Sequence, residues 1–295
     1  MNKVYIYPKL TSANFILFRF RSVGMGNLLF PFARAIVYSN KFDLKLINPT
    51  WLQLTLGPYI RFQADKRHYH DLFHIVPNSI RGIKKILILM RYSWIKVDSN
   101  EKNEIKQNNK ILTFEGIEDY FSPILKDHKL VKKTLLDIVR NKHKNSLNFN
   151  FKNSISIHVR LGDFKVGNQT TDINWFIEII NKLRADMGAQ TKVYIFSDGT
   201  DKEIKDILNL NYTQRLSFGS SLADLLALSK SNVLIASKNS TFSWWASYLG
   251  RMPVIWHNST NTFPIYYEDY SKEIFINDNS EIDIKFLSHI KKNYS

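Results

Sequence analysis

The segments SISIHVRLGD (residues 154–163), INWFIEIINKLRADM (173–187) and KVYIF (192–196) decide the fold. The outer two open as short apolar runs and read as strands. The middle one repeats Ile173, Phe176, Ile177, Ile180, Leu183 and Met187 at helical spacing. The same alternation runs on toward the C-terminus. Asp201–Leu208 reads as a helix, Gln214–Phe218 as a weak strand, and Leu222–Leu228 as a helix with Leu222, Leu225 and Leu226 on one face. Asn232–Ala236 (NVLIA) is a strand, Ser240–Leu249 a helix, and Met252–Trp256 and Glu273–Ile276 two further strands. Strand–helix alternation predicts a parallel sheet covered on both faces.

Toward the N-terminus the pattern starts alike and then weakens. Asn14–Phe20 (NFILFRF) reads as a strand, followed by a turn at Gly24-Met25-Gly26-Asn27 and a helix from about Leu28 to Ser39. Leu44–Ile47, Ile86–Met90 and Ile111–Phe114 read as strands. Trp51–Phe73 is aromatic and basic without a clear period, and Asp98–Lys110 reads as a polar surface loop. The Lys/Asn-rich stretch Asn141–Asn150 marks the boundary between a domain over 1–150 and one over 151–295.

Composition narrows the function classes. With 44% apolar and 14% aromatic residues in a chain of 295, a disordered protein is excluded. The absence of cysteine excludes disulfides, Cys-type zinc sites and thiol catalysis, and suits a reducing compartment. No apolar run approaches the ~18–20 residues that span a bilayer. Phe15–Phe20 is short, contains Arg19 and has no small-residue cleavage site, so no signal peptide is expected. The expectation is a cytoplasmic protein, soluble or peripheral at the inner face of the membrane.

Charge is unevenly placed. Residues 1–150 hold 25 Lys and Arg against 11 Asp and Glu, an excess of 14, whereas residues 151–295 hold 16 against 15. The first half therefore suits an anionic partner, although a generally Lys/Asn/Ile-rich composition explains the count equally well. Zinc-finger spacing, an aromatic–glycine RNA signature and a helix-turn-helix are all missing, so nucleic acid is not an expected partner.

Three constellations can carry chemistry. In Ser22-Val23-Gly24-Met25-Gly26-Asn27, the paired glycines let a ligand approach the backbone, and a helix N-terminus offers N–H groups to an anion. Leu29 at the third glycine position excludes a dinucleotide fingerprint, and a purely structural turn remains the commoner role for such a stretch. In Ile157–Asp163, strand alternation puts His158 and Arg160 on one face at a carboxyl end, where ligands bind in open α/β sheets. A guanidinium forks onto phosphate oxygens, and Asp163 is placed to orient Arg160 or to act on a substrate hydroxyl. An ordinary solvated strand end with a buried His158 fits the residues as well. In Ala223–Leu249, Asn239, Ser240 and Thr241 are good N-cap residues whose hydroxyls and N–H groups suit a phosphate. A capped helix without ligand is the bland alternative, but two anion-competent strand ends in one sheet favour a diphosphate. Trp244 and Trp245 are expected in the core. No His/Asp/Glu cluster has metal-ligand spacing and no Asp-x-Asp occurs, so leaving-group charge falls to Arg and helix dipoles.

Ser22–Ala33 (SVGMGNLLFPFA), His158–Phe164 (HVRLGDF), Phe196–Gly199 (FSDG) and Asn239–Leu249 (NSTFSWWASYL) resemble, in order and spacing, the motif series of the α-1,2-fucosyltransferases, glycosyltransferase family 11. Thr113–Phe121 (TFEGIEDYF) resembles that family's aromatic segment more weakly. The resemblance implies an α/β, GT-B-like fold of two Rossmann-type domains facing across a cleft, the first on the acceptor side and the second binding the donor. It implies GDP-β-L-fucose as donor, inversion at the anomeric carbon, and neither metal nor other cofactor. Arg160 matches the first Arg of an HxRRxD motif that holds the diphosphate. Asp198 joins the donor-binding set, Asp224 is expected at the guanine, and Asn239 and Ser240 to Ser243 near the phosphates or sugar. Gly24, Gly26 and Asn27 are expected to approach the donor from the other domain. Asp163 is the expected base, with His158 and Glu115 as alternatives.

The sequence departs from the family pattern in three places, one of them Met25 in place of a common Leu. Leu161 replaces the second Arg of the motif, and Gly26-Asn27-Leu28 stands where Gly-Asn-Gln is usual. A transferase of the same fold using another nucleotide-sugar, and a non-catalytic glycan- or anion-binding protein, are the competing classes. The expected acceptor is an oligosaccharide or lipid-linked surface glycan of O-antigen or capsule type, with the basic first domain meeting an anionic membrane.

Overall fold

In the computed structural model, residues 3–20, 23–54, 60, 69–97, 109–165, 167, 169–260, 265, 269–277 and 281–292 are described. They divide into two compact units, residues 1–141 and 142–295. The break comes before the Lys/Asn-rich stretch ends. Residues 142–150 go with the second unit, where the His143 ring meets Ser220 Oγ at 2.9 Å.

The first unit is a four-stranded parallel sheet. Its strands are β1 (Val4–Pro8), β2 (Lys45–Leu46), β3 (Ser93–Lys96) and β4 (Lys110–Phe114), in the order β2-β1-β4-β3. Among the described residues its helices include α1 (Met25–Lys41), α2 (Gly82–Arg91) and α3 (His128–Ile138). The strands β1 and β4 are buried along nearly their whole length, as central parallel strands must be. Tyr5, Tyr7, Ile47, Ile80, Ile88, Leu89 and Ile111 form a core cluster.

Two expected strands here are corrected. Asn14–Phe20 is a reversal, with Phe15 N donating to Phe18 O at 2.8 Å and Asn14 bridging Arg19 antiparallel. Its apolar side chains Phe15, Leu17 and Phe20 face outward while Arg19 is buried, the inverse of a core strand. The true first strand is VYIYP, upstream. Ile86–Met90 lies inside α2, because a five-residue apolar run has no period of its own. Lys85, Ile88 and Leu89 are its buried positions, at helical spacing. The short, exposed strand β3 follows it and escaped sequence reading. Of Asp98–Lys110, residues 98–108 lie outside the described residues, as does much of Trp51–Phe73.

In the second unit, six parallel strands follow: β5 (Ser154–Val159), β6 (Lys192–Ser197), β7 (Thr213–Arg215), β8 (Val233–Ala236), β9 (Val254–His257) and β10 (Glu273–Ile276). Their order is β10-β9-β8-β5-β6-β7. The helices are α4 (Asn141–Lys144), which straddles the break, then α5 (Ile173–Met187), α6 (Lys205–Leu208), α7 (Ser221–Leu228), α8 (Thr241–Gly250) and α9 (Ile284–Lys292). Asp172 caps α5 by accepting from Asn174 N at 3.0 Å, and Gly188 ends it at φ 107°, a backbone state that favours glycine. Ile155, Ile157 and Val159 share one apolar cluster with Phe176, Ile180 and Leu183 of α5 and with Phe286 and Ile290 of α9. Ser156 and His158 alternate to the opposite face. Trp244 and Trp245 are core residues, as expected. Asp201–Leu208 is helical only from Lys205, after a run of turns.

Candidate active site

Strand order marks the candidate ligand position in the second unit. From β5 the chain proceeds outward through β6 and β7, then returns to the other flank of β5 with β8. The junction of β5 and β8 is therefore the topological switch point, and ligands in open parallel sheets sit outside the carboxyl ends there.

Three loops meet at that end. After β8, Ser237 Oγ donates to His158 O at 2.8 Å and accepts from Arg160 N at 2.8 Å, locking the two strand exits together. Asn239 adopts a left-handed φ of 53°, and Ser240 is the N-cap of α8. The helix begins at Thr241 with no acidic residue in its first turn, so its positive end carries no carboxylate of its own. After β5, Arg160 Nη1 lies 2.6 Å from Asp198 Oδ2, and its guanidinium carbon is 5.5 Å from the Phe164 ring centroid. Asp198, just after β6, uses its other oxygen to accept from Leu161 N at 2.8 Å and Gly162 N at 3.2 Å. This close approach requires glycine at 162, since a Cβ there would lie 2.3 Å from Asp198 Oδ2.

His158 is enclosed. Its Nδ1 is 2.6 Å from Ser243 Oγ, and its ring stacks on Phe242 at 4.8 Å. Burial, aided by Arg160 and opposed by Asp198, pushes its pKa down to about 3. The imidazole is thus neutral near pH 7 and a poor proton acceptor there. Its place is to tie β5 to the first turn of α8.

The structure therefore brings together His158, Arg160, Asp198, Asn239, Ser240, Thr241 and Ser243. The Asp163 side chain lies outside the described residues. Orientation of Arg160, one of the two roles open to Asp163, is filled by Asp198. Asp224 sits farther along the same edge of the sheet, in the first turn of α7. Its carboxylate accepts from Phe218 N at 2.5 Å and so shapes the loop after β7.

Gly24, Gly26 and Asn27 belong to the first unit. Gly24 is the extended N-cap of α1, Gly26 is buried in its first turn, and Asn27 N donates to Gly24 O at 3.1 Å. The preceding residues form the reversal described above, so the turn does not follow directly on a strand. Glu115, after β4, pairs with Lys9 at 2.8 Å. Arg34 holds the loop beneath it, donating to Glu115 O and Gly116 O at 2.6 Å each. Among the described residues, no group of three or more His, Asp or Glu could hold a metal ion. Sequence reading missed Ser237, Phe164 and Phe242. Ser237 had a legible signal, as a hydroxyl residue ending the strand beside the switch point.

Residues 88–264 match the sequence profile of glycosyl transferase family 11, which covers Arg160, Asp198 and the whole of α8. The chain belongs to glycosyl transferase family 11. It is a glycosyltransferase with the GT-B fold. Comparison with curated proteins gives no significant match. Among solved structures, NodZ alpha-1,6-fucosyltransferase co-crystallised with GDP aligns with a TM-score of 0.56 at 12% identity, over 89% of this chain and 97% of that one. Fucosyltransferase NodZ from Bradyrhizobium aligns at 0.55 and 13% identity, over 86% and 96%. At such identity the likeness carries the fold alone.

Proposed function

We propose that this transferase moves L-fucose from GDP-β-L-fucose to the 2-hydroxyl of a galactoside, with inversion and without a metal. The observation that carries the reading is the Arg160 guanidinium, held by Asp198 over Phe164 beside the N-terminus of α8 at the switch point. A planar guanidinium forks onto phosphate oxygens and so suits a diphosphate. The NodZ relatives in fold have been crystallised with GDP and soaked with GDP-fucose, which favours the same donor.

In this mechanism the acceptor hydroxyl oxygen forms a bond to the anomeric carbon as the bond from that carbon to the GDP β-phosphate oxygen breaks. The bonding pair leaves with GDP. Arg160 and the first N–H groups of α8 meet the charge that develops on the diphosphate, where an oriented donor contributes about 3–4 kcal/mol. The hydroxyl proton passes to the Asp163 carboxylate. His158 and Ser243 position the strand and helix ends, and Asp224 is assigned to the guanine side.

The acceptor is a growing surface glycan on an anionic lipid carrier, and the protein works in the cytoplasm at the inner face of the membrane. The basic excess of residues 1–150 supports this placement, and so does α2. Ile83, Leu87 and Met90 are 76%, 61% and 72% exposed on one side of that helix, flanked by Arg81, Lys84 and Arg91. Among the described residues no helix is long and apolar enough to cross a membrane.

Calorimetric titration with GDP, UDP and dTDP, followed by assay of galactoside-dependent GDP release, tests the reading. Selective GDP binding and release of GDP from GDP-fucose are expected. A preference for UDP or dTDP would overturn the donor, and wild-type turnover in folded Arg160→Ala would overturn the mechanism.

A further inference from the structure

In the first unit, α2 begins beside an open cavity of about 350 Å³. Arg81, Gly82 and Lys85 line it from the helix start, Thr50 and Trp51 from the segment after β2, and Arg140 from beyond α3. The Trp51 ring stacks on Phe73, also in the lining, at 4.2 Å. Among the described residues no Asp or Glu lines the cavity; Asp71, just outside the lining, lies 3.4 Å from Arg140.

Lys85 is the unusual member. It is only 8% exposed, and among the described residues its ammonium has one hydrogen bond, to Thr50 Oγ1 at 2.8 Å. Thr50 is saturated, since it also meets the Tyr7 hydroxyl at 2.9 Å and donates to Ile16 O at 3.0 Å. The Tyr7 ring, 5.4 Å from Lys85 Nζ, is the other favourable neighbour. An ammonium has three N–H donors, so Lys85 keeps capacity for an acceptor that the described residues do not supply. Its position is also of the wrong sign. Lys84 and Lys85 occupy the opening of α2, behind Arg81 as N-cap and with no acid in the first turn, where a helix favours negative charge. Three cations at a positive helix end, one of them buried without a counter-charge among the described residues, cost stability that a bound anion would return.

We infer that this cavity is an oxyanion subsite of the transferase, taking a phosphate or carboxylate group of the acceptor on Lys85, Arg81 and the first N–H groups of α2. Trp51 and Phe73 give the adjoining sugar an apolar wall. The acceptor is therefore an anionic glycan: a sugar diphosphate on its lipid carrier, or a chain containing a uronic acid. The inference rests on the transferase reading for the word acceptor, but the anion site itself does not depend on it. Burial without a carboxylate partner pushes the Lys85 pKa down to about 8, which agrees with a site awaiting its counter-ion.

The test is titration of the full chain, saturated with GDP so that the donor site is filled, with inorganic pyrophosphate and separately with glucuronate. Wild type should bind at least one of them. Lys85→Met and Arg81→Ala should each weaken that binding about tenfold or more, the loss expected for a charge-assisted contact. Pyrophosphate binding without glucuronate binding assigns the phosphate source, and the converse assigns the carboxylate. No binding to GDP-saturated wild type, or binding that neither variant changes, overturns the inference. Should Lys85→Met fail to fold, the exposed Arg81→Ala decides. GDP affinity, read from the saturation step, reports on the donor reading separately.

Discussion

Replacing Asp198 by Asn isolates what holds the central guanidinium. The amide keeps the size of the carboxylate and one oxygen for Leu161 N and Gly162 N. With that oxygen so used, its NH₂ faces Arg160, donor against donor. The structure places the lost contact at 2.6 Å between side chains only 22% and 25% exposed, so solvent screens it little. A hydrogen bond to a charged group in such a setting is worth about 1.5–3 kcal/mol. If Asp198 acts by aiming Arg160 at the leaving diphosphate, that loss appears as a fall in kcat of about ten- to a hundredfold. Arg160→Ala removes the guanidinium itself and should cost about two to three orders of magnitude. The decisive measurement is the double variant, assayed by GDP release at saturating donor and acceptor. A residue that works only through Arg160 adds nothing once Arg160 is gone, so the double variant should match Arg160→Ala. If Asp198→Asn exacts its full factor in the Arg160→Ala background, or leaves turnover within twofold of wild type, the reasoning fails.

Three further outcomes are expected. Gly162→Ala drives a methyl group into Asp198 Oδ2, so a folded variant should lose turnover about as Asp198→Asn does, by roughly ten- to a hundredfold; unchanged kinetics would show that the carboxylate is free to shift. His158 binds a proton at about pH 3 when folded against an ordinary value of 6.5, so the unfolded chain takes up the extra proton as pH falls between them. Its contribution to stability is complete above pH 6.5 and declines by about 1.4 kcal/mol per pH unit below it. His158→Gln should therefore flatten the fall of melting temperature between pH 6.5 and 5, and parallel curves would count against the buried neutral ring. Ile83→Glu combined with Leu87→Glu should abolish flotation on anionic liposomes at low salt while leaving GDP affinity intact; flotation equal to wild type removes α2 from the membrane face.

The second unit was legible in sequence and the first only in part, for a physical reason. A central parallel strand is buried on both faces, so Ser154–Val159 stands out as an apolar run, and α5 shows its period because one side packs on the sheet. The reading of Ile173–Met187 matches the helix to the residue. In the first unit, exposed apolar side chains mimic strands. The reversal at 14–20 turns Phe15, Leu17 and Phe20 outward, and α2 leaves Ile83, Leu87 and Met90 uncovered, so hydrophobicity there does not report burial. The site shows the same split. His158 and Arg160 are placed together by strand alternation and Ser243 by the family resemblance, each within a compact motif. The pairing of Asp198 with Arg160 crosses strands and needed the fold. Lys85, just before a run read as a strand, gave no sign that it is buried.

Leu161 shows why such distinctions bear on specificity. As a replacement for a second arginine, it looks like a lost phosphate contact and a hint of another donor. In the structure its backbone N–H serves Asp198, while its side chain is buried in the cluster of Ile155, Ile157, Val159 and Ile204. Its Cδ1 lies so near Gly199 that a Cβ on that glycine would approach it to 2.5 Å. Arg160 and Leu161 thus leave the strand in different directions, one to the Asp198 carboxylate and the other into the core. A guanidinium at 161 would have to be buried among aliphatic side chains without a partner, a cost of several kcal/mol. The leucine subtracts no charge from the side of the sheet where the diphosphate is proposed to lie. In the proposed mechanism, donor neutralisation then rests on Arg160 together with the N-terminus of α8, whose first turn holds no acid. For that reason the orientation of Arg160 by Asp198, more than the number of arginines, should set the rate.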